Sequence, residues 1–397
     1  MHHKIHQFTR RDFLTAAAGT LMFASSGLGQ QLGNKKMREM LVYIGTYTSG
    51  ASKSEGIYIY KLNLVSGELL PYKTVKNVIE PSFLTIDMKR KYLFAVNETE
   101  EYEGKKSGAV SSFAINQRTG DLEFLNKQPS LGGSPCHVTV SNNGRFVLVA
   151  NYVGGNVSVY PVGRDGKLGA SIDLEQHSGF GPKKDRQETA HAHSIMLDKN
   201  NRFALANDLG IDRVMIYDYD GRKGQLKTNA VQPFYQTKAG SGPRHLKFHP
   251  TGKFAFIINE LDMTISSLAY DAKLGTLKEL QTVPTLPATF FGQNSCADIH
   301  ISPDGKFLYG SNRGHDSIVS YRVSENGTLQ FIEHTPTGGK TPRNFTIDPT
   351  GKFLLAANQN SNSIVVFGID EGSGKLRHTG NTAEVPTPVC LKIIPGF

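Results

Sequence analysis

The segment GPRHLKFHPTGKFAFIINE, residues 242–260, opens on Arg244 and His245 and closes on Glu260. A guanidinium fork binds carboxylates, phosphates and developing oxyanions, while an imidazole or a carboxylate can move protons near neutral pH. Between these ends lie two short apolar runs joined by a Pro-containing, Gly-ended turn, the pattern of a β-hairpin. Because hairpin strands are antiparallel, the first and last residues are neighbours. Arg244, His245 and Glu260 are therefore expected at one edge, with the turn at the other.

The same hairpin recurs along the chain. PSFLTIDMKRKYLFAVNE starts at Pro81, PCHVTVSNNGRFVLVANY at Pro135 and HAHSIMLDKNNRFALAND at His191. CADIHISPDGKFLYGSNR follows from Cys296 and PRNFTIDPTGKFLLAANQ from Pro342. Each carries an Asn at or near its end (Asn97, Asn151, Asn207, Asn259, Asn312 and Asn358), about every 50 residues. Further strands such as NVSVYPV, RVMIYDYD and SIVSYRV lie between copies, so each unit holds about four strands. A single four-stranded sheet leaves a face unburied, and radial stacking of such sheets covers it. The expected fold is all-β, a seven-bladed β-propeller of four-stranded antiparallel blades. Six copies are complete. The seventh is split: PVCLKIIPGF from Pro388 matches a first strand, and MLVYIGTYTSGASKSEGIYIYKL near the N-terminus supplies the second and third. Ring closure by both chain ends makes residues 38–397 one domain.

In such a ring the hairpin ends collect around one mouth of the central channel. Blade by blade the mouth gathers Phe83 with Glu98, His137 with Tyr152, and His191 and His193 with Asp208. It also gathers Arg244 and His245 with Glu260, Asp298 with Arg313, Arg343 and Asn344 with Gln359, and Cys390 with Thr46 and Tyr47. The apolar positions between these ends keep their type, as packing requires, whereas the ends differ in every blade. That contrast marks the mouth as a functional site and the turns HPTGK, SPDGK and DPTGK as backbone devices. The recurring Asn reads as structural, its amide tying backbone at a strand end. His191 and His193, spaced i and i+2, would point to one side of an extended strand as metal ligands can, but no third ligand accompanies them, and neither a metal nor another cofactor is expected.

Composition narrows the classes. With 41 Gly, no Trp and 38% hydrophobic residues, the chain fits a turn-rich soluble β protein. The absence of Trp also excludes close kinship with WD-type interaction propellers. The net charge of +9 is dispersed, and no Lys/Arg block is long enough for a nucleic-acid groove. Cys136, Cys296 and Cys390 are odd in number and far apart, which is no disulfide framework. Nucleotide-binding loops, serine-hydrolase elbows and calcium loops are missing from the pattern. Residues 1–30 contain TRRDFLTAAAGTLMFASSGLGQ, where paired Arg10 and Arg11 precede an apolar stretch and a small-residue end. This is a twin-arginine export signal by pattern, implying a periplasmic or otherwise exported protein after cleavage. No apolar run is long enough to insert stably in a membrane.

With these motifs in place, the chain resembles the seven-bladed lactonases of the bacterial 6-phosphogluconolactonase type, relatives of the carboxy-muconate lactonizing enzymes. The pieces VYIGTYT, HAH, GPRH, INEL, SNRGHDSI and PRNFTIDPTGKFLLAANQ carry the resemblance over nearly the whole chain. It implies a propeller that hydrolyses a sugar-acid lactone without a cofactor, with His193, Arg244 and Glu260 as catalytic residues. A further Arg, Arg313 of SNRG ahead of Arg343 of PRNF, completes the set that the resemblance implies; the reading of the mouth itself adds His191, His245 and His137 as substrate contacts. On this reading Glu260 is the general base and His193 the alternative base or proton donor. Arg244 and Arg313 hold the oxyanion or an anionic substituent. An export signal departs from the cytoplasmic sugar-phosphate enzyme, so an unphosphorylated aldonolactone is open beside 6-phosphogluconolactone. The other readings are a muconate-type lactonizing cycloisomerase and a non-catalytic periplasmic binding or scaffold propeller. The expected partner is a small lactone, and the expected state a monomer.

Overall fold

The computed structural model describes residues 39–396; the export motif lies outside them. Seven antiparallel sheets follow one another around the ring, and in six of them the strands run from the channel outward in chain order. The inner strands are Leu84–Ile86, Pro135–Val140, Ala192–Leu197, Pro243–Phe248, Ser295–Ile301, Pro342–Ile347 and Pro388–Pro395. Closure is as the split repeat implies: Pro388–Pro395 pairs with Glu39–Thr46, placing Ile393 opposite Val42 and Cys390 opposite Gly45. The N-terminal segment supplies the outermost strand of this blade too, Leu69–Lys76, one more than its repeat match shows. A short extra strand, Phe234–Gln236, pairs with Arg213–Asp220 beside that blade's outer strand. A two-residue hairpin, Glu101–Tyr102 with Lys105–Lys106, stands apart.

Blades hold together because their strands are apolar on both faces. The closing seam buries Val42, Ile44 and Leu391 against Leu355, Ala357, Ile364 and Val366 of the preceding blade. Each fully buried aliphatic side chain of this kind contributes roughly 1.5–3 kcal/mol. The recurring Asn residues work at the rim: Asn151 donates to Ser130 O at 2.9 Å and Asn312 to Thr285 O at 2.8 Å. Each thus ties a second strand to the chain arriving from the blade before it.

The hairpin turns are stabilised locally. Asp87 Oδ1 accepts from the backbone N–H groups of Lys91 and Tyr92, and Asp348 from those of Thr350 and Phe353. Gly252 and Gly351 adopt φ of 73° and 77°, the left-handed conformation that favours glycine. These turns lie at the rim opposite the mouth, and their side chains serve the backbone.

Candidate active site at the channel mouth

The inner strands share a device that the sequence does not display. Register shifts occur between Pro135 and His137, Ala192 and Ser194, Pro243 and His245, and Pro342 and Asn344. Each is a β-bulge of one extra residue: Cys136, His193, Arg244 or Arg343. A bulge re-aims the side chain it carries, and here it turns all four residues toward the mouth.

Glu260, at the end of the next strand, is the hub. Its Oε2 accepts from Arg244 Nε at 2.8 Å and lies 3.0 Å from Arg313 Nη2, while Oε1 accepts from Arg186 Nη2 at 2.7 Å. The Glu260 side chain is 5% exposed, and those of Arg244, Arg313 and Arg186 are 3%, 12% and 38% exposed. Burial alone would raise its pKa, yet the guanidiniums of Arg313, Arg244 and Arg186 hold the carboxyl far below the usual carboxylate range. Burial also lowers Arg313 to about 10, against the pull of Glu260. Arg244 donates further to Ala297 O and, at 3.3 Å, to His245 Nε2.

His193 lies beside this hub. Burial, then the charges of Arg244, His245 and Arg343, push its imidazole well below 6.5, so it is neutral at physiological pH. Its Nδ1 is 3.7 Å from Cys136 Sγ, and the Tyr152 ring meets it edge-on at 5.5 Å. Cys136 sits among Glu98, Arg244, Arg343 and Glu260, and burial pushes its thiol up, out of thiolate range. A second carboxylate, Glu98, accepts from Tyr47 OH at 3.1 Å and from Ser82 Oγ. Burial raises its pKa despite the opposing charge of Arg343. Arg343 lies 5.4 Å over the Tyr47 ring, and no hydrogen bond or ion pair engages its guanidinium among the described residues.

The remaining histidines fall elsewhere. Phe83, His137 and His245 meet across the channel, with centroids 4.4 Å apart for Phe83 and His137 and 5.6 Å for the two histidines. They form the floor of the mouth. His245 donates from Nδ1 to Asp298 at 2.7 Å, leaving Nε2 as acceptor for Arg244, and burial followed by the Arg244 charge lowers it to about 3. His191 belongs to the wall: it stacks on Tyr152 at 4.4 Å, its Nδ1 is 3.0 Å from Tyr152 O and its Nε2 is 2.9 Å from Glu188. The bulge at His193 breaks the alternation that would have put His191 and His193 on one side. Among the described residues no group of three or more His, Cys, Asp or Glu is placed to hold a metal ion. Asp208 is committed to backbone N–H groups and to buried His177.

His193, Arg244, Glu260, Arg313 and Arg343 thus converge, with His137 and His245 beneath them. Sequence reading missed Arg186 and Cys136. Arg186 sits in the connection between an outer strand ending at Gln176 and the inner strand starting at Ala192. In an antiparallel four-stranded blade that connection crosses the same mouth, which is the signal that could have found it. Cys136 occupies the repeat position of Arg244 and Arg343 and could have been read by the same alignment.

Family comparison agrees with this architecture. The family described as Lactonase, 7-bladed beta-propeller, matches residues 41–393. A 6-phosphogluconolactonase of Bacillus subtilis is 36% identical over 90% of this chain and 99% of its own length. One from Formosa agariphila is 38% identical over 77% and 85%. The solved structure of the Pseudomonas aeruginosa periplasmic gluconolactonase PpgL superposes with a TM-score of 0.83, at 34% identity, covering 90% of this chain and 99% of that one. The chain belongs to the seven-bladed β-propeller lactonases.

Proposed function

We propose that the protein hydrolyses a sugar-acid lactone at this mouth, with His193 rather than Glu260 as the general base. The observation that carries the assignment is a neutral imidazole set beside a cluster of guanidiniums. A base must be unprotonated yet basic enough to take a proton from water. Glu260 is unprotonated, but both its oxygens are engaged by Arg244, Arg313 and Arg186, whereas His193 forms no ion pair among the described residues. His193 removes a proton from water as the oxygen attacks the ring carbonyl, and the tetrahedral oxyanion is stabilised by N–H groups of Arg313 and Arg343. Glu260 holds Arg244, Arg313 and Arg186 in place. The imidazolium of His193 then passes that proton to the departing ring oxygen.

Relatives supply the substrate class: the Bacillus protein is a 6-phosphogluconolactonase and the Pseudomonas protein a periplasmic gluconolactonase. The paired Arg10 and Arg11 match the second context, so the reading extends to an exported enzyme acting on unphosphorylated aldonolactones. A screen of the purified protein on δ-gluconolactone with and without a 6-phosphate tests it. Turnover of the unphosphorylated lactone is expected. Failure on both, with turnover of a muconate-type dicarboxylate, would move the assignment to lactonization.

A further inference from the structure

Below the floor of Phe83, His137 and His245 the channel continues into a second layer with a different chemistry. On the inner strands Leu246, Ile299, Phe345 and Leu391 are buried in the seams between blades. By strand alternation, the residue after each points into the channel. These positions are Lys247, His300, Thr346 and Lys392, and in two further blades Thr85 and Thr139, which follow buried Leu84 and Val138. The lysines are partly accessible although they lie inside the ring. Lys392 Nζ stands 4.5 Å from the Phe83 centroid, and its charge acts on Lys247.

The layer brings in two ammonium groups, and the nearby carboxylate is already committed. No hydrogen bond or ion pair engages either ammonium, or any of the three threonine hydroxyls, among the described residues. The carboxylate that acts on Lys247 is Asp298. Its oxygens are already taken by His245 Nδ1 at 2.7 Å, His300 Nε2 at 3.0 Å and Asn344 Nδ2. Two like charges held close inside a fold cost stability unless a counter-charge joins them.

We propose that this layer is a binding site for one small polyvalent oxyanion of the phosphate or sulfate kind, held between Lys247 and Lys392 with threonine hydroxyls as further donors. The site is separate from the mouth and independent of the lactonase reading. Lysine suits it as a point charge with rotatable donors, and a tetrahedral anion can take hydrogen bonds from several strands at once.

Equilibrium dialysis of the full chain against inorganic phosphate at constant ionic strength, with sulfate as competitor, tests this. One bound phosphate is expected that survives Arg343→Ala and is weakened at least tenfold in Lys247→Met/Lys392→Met. The double variant, freed of like-charge repulsion, should melt at or above the wild-type temperature without phosphate and lose the phosphate-induced rise. If it does not fold, the single Lys392→Gln variant is read, with weaker binding again expected. Absence of bound phosphate in the wild type would overturn the site. So would unchanged binding in the lysine variants, or a loss confined to Arg343→Ala, which would move the anion to the mouth.

Discussion

Replacing Glu260 with glutamine keeps the volume and one acceptor oxygen but removes the single negative charge shared by Arg244, Arg313 and Arg186. Arg244 and Arg313 are almost wholly buried, so their charges would be left without compensation. Breaking a buried pair by removing one partner costs about 3–5 kcal/mol. Arg186, 38% exposed, adds no more than about 0.5 kcal/mol because solvent screens it. The pH dependence has a definite sign. The folded carboxyl lies below its unfolded value of 4.5, so its contribution is complete above that pH and is lost as pH falls toward the folded pKa. The wild-type advantage over Glu260→Gln should be constant from pH 8 to 5.5, then shrink by about 1.4 kcal/mol for each unit below 4.5. Urea unfolding followed by far-UV circular dichroism, at pH 7 and 3.5, measures both quantities. Kinetically, Glu260→Gln should raise KM more than it lowers kcat, because it loosens the guanidiniums without removing the base. A stability loss under 1 kcal/mol, or one that persists undiminished at pH 3.5, would refute the ion-pair account. A fall in kcat of about 10³-fold or more with KM unchanged would restore Glu260 as the base.

His193→Gln should lower kcat by about 10²–10⁴-fold with little change in KM. Because the imidazole stays neutral well below 6.5, the wild-type kcat/KM profile should also show no acid limb between pH 6 and 7; initial rates across pH 5–9 check both. Arg343→Ala should weaken anionic lactones about 10–100-fold in kcat/KM, the value of a charge-assisted contact of roughly 1.5–3 kcal/mol, and neutral ones less. Parallel assays on carboxylated or phosphorylated and neutral lactones separate these effects. The proposed export predicts that Arg10→Lys with Arg11→Lys leaves the protein in the cytoplasm, read by cell fractionation; unaltered export would remove the twin-arginine assignment.

What could be read from the sequence was whatever the repeat enforces. The hairpin, the rim Asn and the split blade each recur at fixed places, because every blade solves the same packing problem. Alignment of PVCLKIIPGF with PRNFTIDPT was therefore enough to close the ring. The extra strand Phe234–Gln236 and the loop bearing Arg186 occur in one blade only, so periodicity carries no information about them. The bulges are a backbone property: nothing in the residue types of PRH or AHS says that one residue is extra. Yet it is the bulge that aims Arg244, His193 and Arg343 into the mouth.

The role of Glu260 was hidden for another reason. A carboxylate at a catalytic edge reads as a base until its neighbours are counted, and one of them, Arg186, comes from another blade's connecting loop. In the proposed mechanism, three guanidiniums occupy both oxygens of Glu260 and make it an anchor, which leaves proton transfer to His193, a group with no ion pair among the described residues. Burial, and then the charges of Arg244, His245 and Arg343, keep His193 in its neutral form. The proposed division of labour therefore rests on Arg186, a residue outside the repeat, joining Arg244 and Arg313 at one carboxylate.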